Sequence, residues 1–224
     1  MLVVRIARDA EDLTARARIR DAAIECFARD GFGASFRAIA AQAGVSAGLI
    51  THHFGSKDAL REACDAEVLH RYRELKTEAI DQPSAYLISG ITSPGQSPTI
   101  LVYLIRAVGA GGPGAQRFLD RLMDDMRDVM ARGVASGLVR PSRDEEARLR
   151  YLTYQTMGAL LVQFLVTEHA TPDEFAATLT GAGSDVILPI LELATEGWLA
   201  DRSMLDDYVR FLAEPRDDQD ASAS

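Results

Sequence analysis

The chain has 224 residues, of which 47% are hydrophobic and 25% are charged, and its net charge is −9. This length and composition are typical of a globular protein with a well-packed core. They speak against a membrane protein, because the apolar runs at 100–105 and 160–166 fall well short of the roughly 18 residues that a membrane span needs. The opening residues lack the apolar stretch of a secretory signal, so we expect a cytoplasmic protein.

The negative charge lies in the C-terminal part of the chain. Residues 1–76 hold 12 Lys and Arg against 11 Asp and Glu, whereas residues 77–224 hold 12 against 22. A balanced segment beside an acidic one fits a protein whose contacts with a nucleic acid are confined to its N-terminal part.

The N-terminal third is predicted to form four helices. Apolar residues recur every three or four positions from Thr14 onward, which places them on one side of a first helix that Gly31 ends. A fourth helix is predicted to begin at Lys57, with Ser56 as its N-cap.

A helix, a tight turn and a further helix are predicted between these two. Ser35 is the expected N-cap of a helix over 36–43, Gly44 permits the sharp turn, and Ser46 caps a helix that runs to about His53. A short helix held in this way can enter the major groove of a duplex. The residues left on its outer side are Ala47, Gly48, Thr51 and His52.

This segment resembles the TetR family of bacterial regulators, and the resemblance covers residues 14–76. The positions in register with the family pattern are Ile39, Ala40, Ala43, Gly44, Val45, Ser46, Gly48, Ile50, His53, Phe54 and Lys57. The resemblance implies a homodimer, an all-helical ligand-binding C-terminal domain and, usually, repression that a small molecule relieves.

The expected DNA contacts lie at the N-caps of the two short helices, along these helices and at the start of the fourth helix. They are Ser35, Arg37, Ser46, Ala47, Gly48, Thr51, His52, His53 and Lys57. Thr51 and Ala47 differ from the family's commoner Tyr and Lys, although Thr51 keeps a hydroxyl that can reach a phosphate or a base edge. Because no Lys or Arg lies between Ser46 and His53, further phosphate contacts are expected from Arg5, Arg8, Arg16 and Arg18.

Neither a metal nor a cofactor is expected. Adjacent residues on a helix point about 100° apart, so His52 and His53 cannot chelate one ion together. Cys26 and Cys64 show no CxxC or Cys/His spacing and are predicted to be buried, reduced thiols.

The stretch Gly109–Gly114 satisfies the GxGxxG pattern of dinucleotide-binding enzymes and follows a run rich in β-branched residues. A dinucleotide-binding unit also needs a second strand and an acidic residue roughly 20 positions further on. Residues 128–140 continue as helix and turn instead, so a nucleotide-dependent enzyme is the weaker alternative.

The pattern beyond residue 77 stays helical. Between Tyr151 and Val166 the apolar residues lie on nearly every side, which predicts a helix that is buried all round. The predicted helical segments are 115–136, 141–169, 175–179, 184–199 and 204–212.

An effector pocket is expected among these helices, lined by aromatic, Met and polar residues on otherwise apolar faces. The candidates are Tyr103, Arg106, Met123, Met126, Tyr154, Met157 and Phe164. Such a wall suits a hydrophobic or aromatic ligand, although the same residues could form an ordinary core. The helices at 144–169 and 184–199 are the expected homodimer contacts.

The sequence thus predicts an all-α fold with an N-terminal three-helix helix-turn-helix domain and a C-terminal ligand-binding and dimerisation domain. The expected divisions are 1–56 with an N-terminal arm, a connecting fourth helix at 57–76, the C-terminal domain at 77–213 and a disordered tail at 214–224. The expected function is ligand-responsive regulation of transcription at a palindromic DNA operator. A helical ligand-binding protein without DNA binding is the other alternative.

Overall fold

The computed structural model describes residues 2–86, 97–167, 171–180 and 187–213. Its regular structure is helical, and no strand occurs within these ranges, which confirms the predicted all-α fold. No helix in the same ranges is both long and apolar enough to cross a membrane. In chain order the helices are α1 (Leu2–Asp30), α2 (Phe36–Ala43), α3 (Ala47–Phe54), α4 (Lys57–Asp81), α5 (Ser97–Gly109), α6 (Gly112–Ala135), α7 (Glu145–Val166), α8 (Pro172–Thr180), α9 (Ile187–Thr195) and α10 (Ser203–Ala213).

Helix α1 begins much earlier than predicted. The sequence suggested an arm followed by a helix from Thr14, whereas the helix starts at Leu2. Residues 2–13 contain no Gly or Pro and include several good helix formers, so nothing in them interrupts the backbone hydrogen bonds. The C-terminal half of α1 buries Ile19, Ala23 and Phe27 in the core.

Helix α5 lies at the centre of the larger of two compact units, residues 1–183. It contacts α1, α4, α6, α7 and α8. Tyr103 and Leu104 of α5 are fully buried, and Phe118, Met157 and Phe175 from the surrounding helices join the same core. Helix α5 is therefore the element through which the N-terminal helices and the C-terminal helices of this unit share one core.

Helix α7 is exposed on one side, which corrects the prediction that it is buried all round. Leu149, Thr153 and Met157 are buried, but the side chains of Val162 and Leu165 are 61% and 73% exposed. The reason is that the helix contacts α5 and α6, which cover only one of its sides. An apolar surface therefore remains open on the single chain.

The limits of α7 also differ from those predicted. The helix begins at Glu145 rather than Pro141, because the side chain of Asp144 accepts a hydrogen bond from the Ala147 amide at 2.9 Å and acts as the N-cap. It ends at Val166, and the last predicted residues, 168–169, lie outside the described ranges.

The second compact unit is residues 184–224, of which 187–213 are described. Of the helix predicted over 184–199, residues 187–195 are observed as α9, residues 184–186 lie outside the described ranges, and residues 196–199 are not helical. Pro189 lies in the first turn of α9, where a proline breaks no helical hydrogen bond. Neither α9 nor α10 has a buried residue. The predicted disordered tail, 214–224, lies outside the described residues.

Candidate nucleic-acid interface

Helices α2 and α3 each begin at a serine, as the sequence predicts. The Oγ of Ser35 accepts a hydrogen bond from the Ala38 amide at 3.2 Å, and the Oγ of Ser46 accepts one from the Leu49 amide at 3.2 Å. Each cap satisfies an amide that has no partner within its own helix. The two exposed serines therefore fix where the helices start.

The turn between α2 and α3 depends on Gly44. Its backbone is left-handed, with φ 64° and ψ 39°, a conformation that a residue with a Cβ adopts only at a cost in free energy. The amide of Val45 then donates to the Ala40 carbonyl at 2.9 Å. These contacts set the direction in which the chain enters α3.

Helix α3 is anchored by one apolar side. Ile50 is fully buried and Phe54 nearly so, and both belong to the core that contains the buried side chains of α1. The guanidinium carbon of Arg16 lies 5.0 Å from the centroid of the Phe54 ring, on the outer rim of this contact. The anchored side leaves the opposite side of α3 free of protein.

The outer side of α3 consists of small and polar residues. Ala47, Gly48, Thr51 and His52 are all exposed, as predicted, and the Thr51 hydroxyl lies 3.4 Å from the Ala47 carbonyl oxygen. Such a surface lets the helix backbone approach a groove closely while a hydroxyl and an imidazole remain available to base edges or phosphates.

Positively charged residues lie on the three helices that contact α3, and none lies on the outer side of α3. Arg37 on α2 and Arg18 on α1 are exposed, and Lys57 is half-buried at the start of α4. Arg5 and Arg8 belong to α1, but their side chains lie outside the described residues. The candidate phosphate contacts therefore come from the helices that flank α3.

The histidines of α3 do not form part of a metal site in the described parts of the chain. The rings of His52 and His53 lie edge to face with centroids 5.4 Å apart, and His53 is half-buried against Phe54. No group of three or more His, Cys, Asp or Glu side chains that could hold a metal occurs among the described residues. Burial raises the pKa of the Cys64 thiol, as expected of a thiol in the core.

The seven predicted effector residues differ in where the structure places them. Met157 is buried and Phe164 half-buried in the core, whereas Tyr154 is 50% exposed on the open side of α7. Met123 borders a crevice of about 300 Å³ between α6 and α7, whose other lining side chains are mostly charged, among them Asp124, Arg127 and Glu146. Their role as an effector pocket stays a prediction.

Tyr103 and Arg106 have partners that the sequence does not reveal. The hydroxyl of the buried Tyr103 donates to the Asp65 carboxylate on α4 at 2.6 Å. Arg106 donates to the carbonyl oxygens of Ala28 and Arg29 at the end of α1. These contacts join residues at least 38 positions apart in sequence, so no local pattern indicates them.

Comparison with known proteins agrees with this geometry. Residues 19–64 match the family model described as bacterial regulatory proteins, tetR family, and residues 96–200 match the tetracyclin repressor-like C-terminal domain. The HTH-type transcriptional regulatory protein RaaS of Mycobacterium tuberculosis is 43% identical over 205 residues, which are 91% of this chain and 94% of RaaS. The chain belongs to the TetR family of transcription regulators. A solved TetR-family regulator from Rhodococcus sp. shares the fold, with a TM-score of 0.53 at 20% identity, over 81% of this chain and 98% of that one.

Membership of the TetR family settles the class of function. The chain is a DNA-binding transcription regulator and therefore not the alternative, a ligand-binding protein without DNA recognition. The family is not enzymatic. The dinucleotide interpretation of Gly109–Gly114 is wrong on structural grounds too, because the run before it forms helix α5 and not a strand. In this TetR-family regulator these glycines join α5 to α6, and Gly111 and Gly112 both have positive φ.

Proposed function

We propose that this TetR-family regulator is a cytoplasmic repressor that binds a palindromic operator as a homodimer and is released by a small hydrophobic or aromatic effector. The observation that carries the DNA-binding part is the exposed outer side of α3, formed by Ala47, Gly48, Thr51 and His52 and held from behind by buried Ile50 and Phe54. In this proposal α3 lies in the major groove, while the serines at the N-caps, with Arg37, His53 and Lys57, contact the backbone.

Support for the homodimer comes from exposed apolar side chains on the predicted dimer helices. On α7 the exposed side includes Tyr154, Val162, Leu165 and Val166. On α9 every large apolar side chain except Ile187 is exposed, namely Leu188, Ile190, Leu191 and Leu193. Exposed apolar side chains of this kind on a helix are typical of a protein–protein interface, and two-fold pairing would bury them.

Support for an apolar effector comes from the composition of the C-terminal core. The rings of Phe164 on α7 and Phe175 on α8 lie edge to face with centroids 5.3 Å apart, and Met157 is buried in the same core. A ligand inserted among these side chains would meet apolar and aromatic groups with few polar ones. The expected division into a DNA-binding part at 1–56, a connecting helix at 57–76 and an effector-binding part at 77–213 belongs to the same proposal.

The proposal is tested by gel shift with the DNA upstream of the protein's own gene. Because the flanking arginines and Lys57 would neutralise phosphates, we expect binding at low salt that weakens by roughly a thousandfold between about 50 and 200 mM salt. The variant Lys57→Gln should weaken binding to all duplexes and reduce the slope of log K against log salt by about 1. Failure of the wild-type protein to shift this or any other duplex at low salt would overturn the proposal.

A further inference from the structure

Arg106 of α5 caps the C-terminus of α1. Its Nε donates to the Ala28 carbonyl oxygen at 2.7 Å, and its Nη2 donates to the Arg29 carbonyl oxygen at 3.0 Å. Carbonyl groups in the last turn of a helix lack partners within the helix, and a cation is favourable at that end of the helix dipole. Arg106 is half-buried at this site, and burial lowers the pKa of its guanidinium.

Gly31 lies beside this cap. It follows α1 with φ +79°, and a Cβ at this position would lie 3.4 Å from Nη1 of Arg106. A Cβ there would be in van der Waals contact with the guanidinium, and the left-handed backbone would be strained by any side chain. Glycine therefore allows the chain to leave α1 directly beside the arginine.

The guanidinium of Arg106 also contacts the C-terminal core. Its central carbon lies 5.3 Å from the centroid of the Phe164 ring on α7, within the range of a cation–π contact. Phe164 in turn contacts Phe175 on α8. One side chain thus joins the backbone of α1 to the aromatic residues among which a ligand would bind.

Tyr103, one turn earlier on α5, makes a parallel connection to α4. Burial raises the pKa of its hydroxyl, which therefore stays protonated and donates to Asp65. Asp65 also accepts a hydrogen bond from Nε of Arg61 at 3.0 Å, and the guanidinium of Arg61 lies over the ring of Phe32, just beyond α1. Helix α5 therefore contacts both α1 and α4, the long helices that precede and follow α2 and α3 in the chain.

We propose that Arg106 is a positioning residue for operator binding, which fixes the end of α1, and with it the helix-turn-helix, against the C-terminal helices. The inference rests on the proposed function, because its effect is measured on a palindrome read by two copies. A displaced Phe164 ring would loosen the cap, so the same residue would transmit the presence of a ligand. Loss of the cap should alter the separation of the two reading heads and leave each α3 able to read its own half-site.

The test compares Arg106→Met with wild type on a palindromic duplex that the wild-type protein selects from a random library. The same duplex is also prepared with two inserted base pairs between the half-sites, and as a single half-site. Arg106→Met should lose about tenfold in affinity for the native palindrome, the order expected when a charged hydrogen-bond donor is removed. It should discriminate less against the inserted spacing, keep wild-type affinity for the single half-site, and be partly restored as Arg106→Lys.

Arg132→Met is the matched control. Arg132 makes an equally short pair of hydrogen bonds to Asp81, both 2.8 Å, between α6 and α4 on the surface, and its loss should change neither affinity nor spacing preference. Phe164→Leu removes the ring that lies on the guanidinium but leaves the hydrogen-bonding atoms of the cap in place, so it should weaken the cap less than Arg106→Met does. In combination with Arg106→Met its effect on spacing should be less than additive. Phe164→Leu also serves as the test if Arg106→Met does not fold.

Two results would overturn the inference. One is wild-type affinity and spacing preference in a folded Arg106→Met protein, and the other is an equal loss of affinity for the half-site and the palindrome, which indicates a merely structural role. A third result, in which the wild-type protein selects no duplex at all, would contradict the proposed function itself. It differs from the two results above, which contradict only the role of Arg106.

Discussion

Replacing Gly48 with glutamate should reduce affinity for the selected palindrome by at least about 100-fold, because the new carboxylate would meet phosphates where the helix backbone approaches the DNA. The fold should survive. The nearest atom to a Cβ at position 48 is the Ser46 Oγ at 3.9 Å, so the side chain has room in the free protein. Fluorescence anisotropy with labelled duplex measures the loss, and circular dichroism checks the helix content.

Gly114→Glu is the control for this charge. Gly114 lies in the first turn of α6, where a Cβ would meet nothing within 4 Å, and its φ is not positive. The control adds the same negative charge to a helix start remote in sequence from α3, and we expect wild-type binding. If the two variants lose affinity equally, the effect is one of net charge, and α3 is not the reading element.

The double variant Val162→Glu/Leu165→Glu should convert the protein from dimer to monomer. The two side chains are 61% and 73% exposed on the single chain, and in the proposed dimer they become buried, where unpaired carboxylates are strongly unfavourable. A monomer should lose roughly 100-fold or more in affinity for the palindrome, since the second head no longer binds at high effective concentration. Sedimentation at micromolar concentration measures the loss of the dimer. Affinity for a single half-site shows whether each monomer still binds DNA.

Leu138→Glu is the control for a glutamate on an exposed apolar position, since Leu138 is a leucine that is 49% exposed after α6. It should leave both the dimer and operator affinity unchanged. A double variant that remains dimeric, or a wild-type protein that sediments as a monomer, would show that α7 does not form the interface.

The sequence predicted the helix-turn-helix closely because its signals are local. Ser35 and Ser46 are N-caps within three residues of the amides they satisfy, and Gly44 is needed for one backbone conformation. The outer side of α3 then follows from helical periodicity once Ile50 and Phe54 are placed inward.

The parts that the sequence did not predict depend on distant contacts. Arg106 donates to the end of a helix 77 residues away, and Tyr103 donates to Asp65 across 38 residues, so neither contact follows from the pattern that makes both residues candidates for the effector pocket. The sequence predicts that α7 is buried on every side, and the structure differs because an apolar sequence pattern does not show whether the same chain covers each side. The sequence does not predict the early start of α1 because the apolar stripe weakens on the N-terminal side of Thr14, where the helix continues to Leu2.

The most direct test of α3 as the reading helix is the backbone amide NMR spectrum of the wild-type protein, recorded with and without the selected palindrome. We expect the largest shift changes at the amides of Ser46–His53, with smaller ones near Arg37 and Lys57, and little change in α9 and α10. Tight binding of the duplex with the amides of α3 unperturbed would contradict the assignment of α3 as the helix that enters the groove.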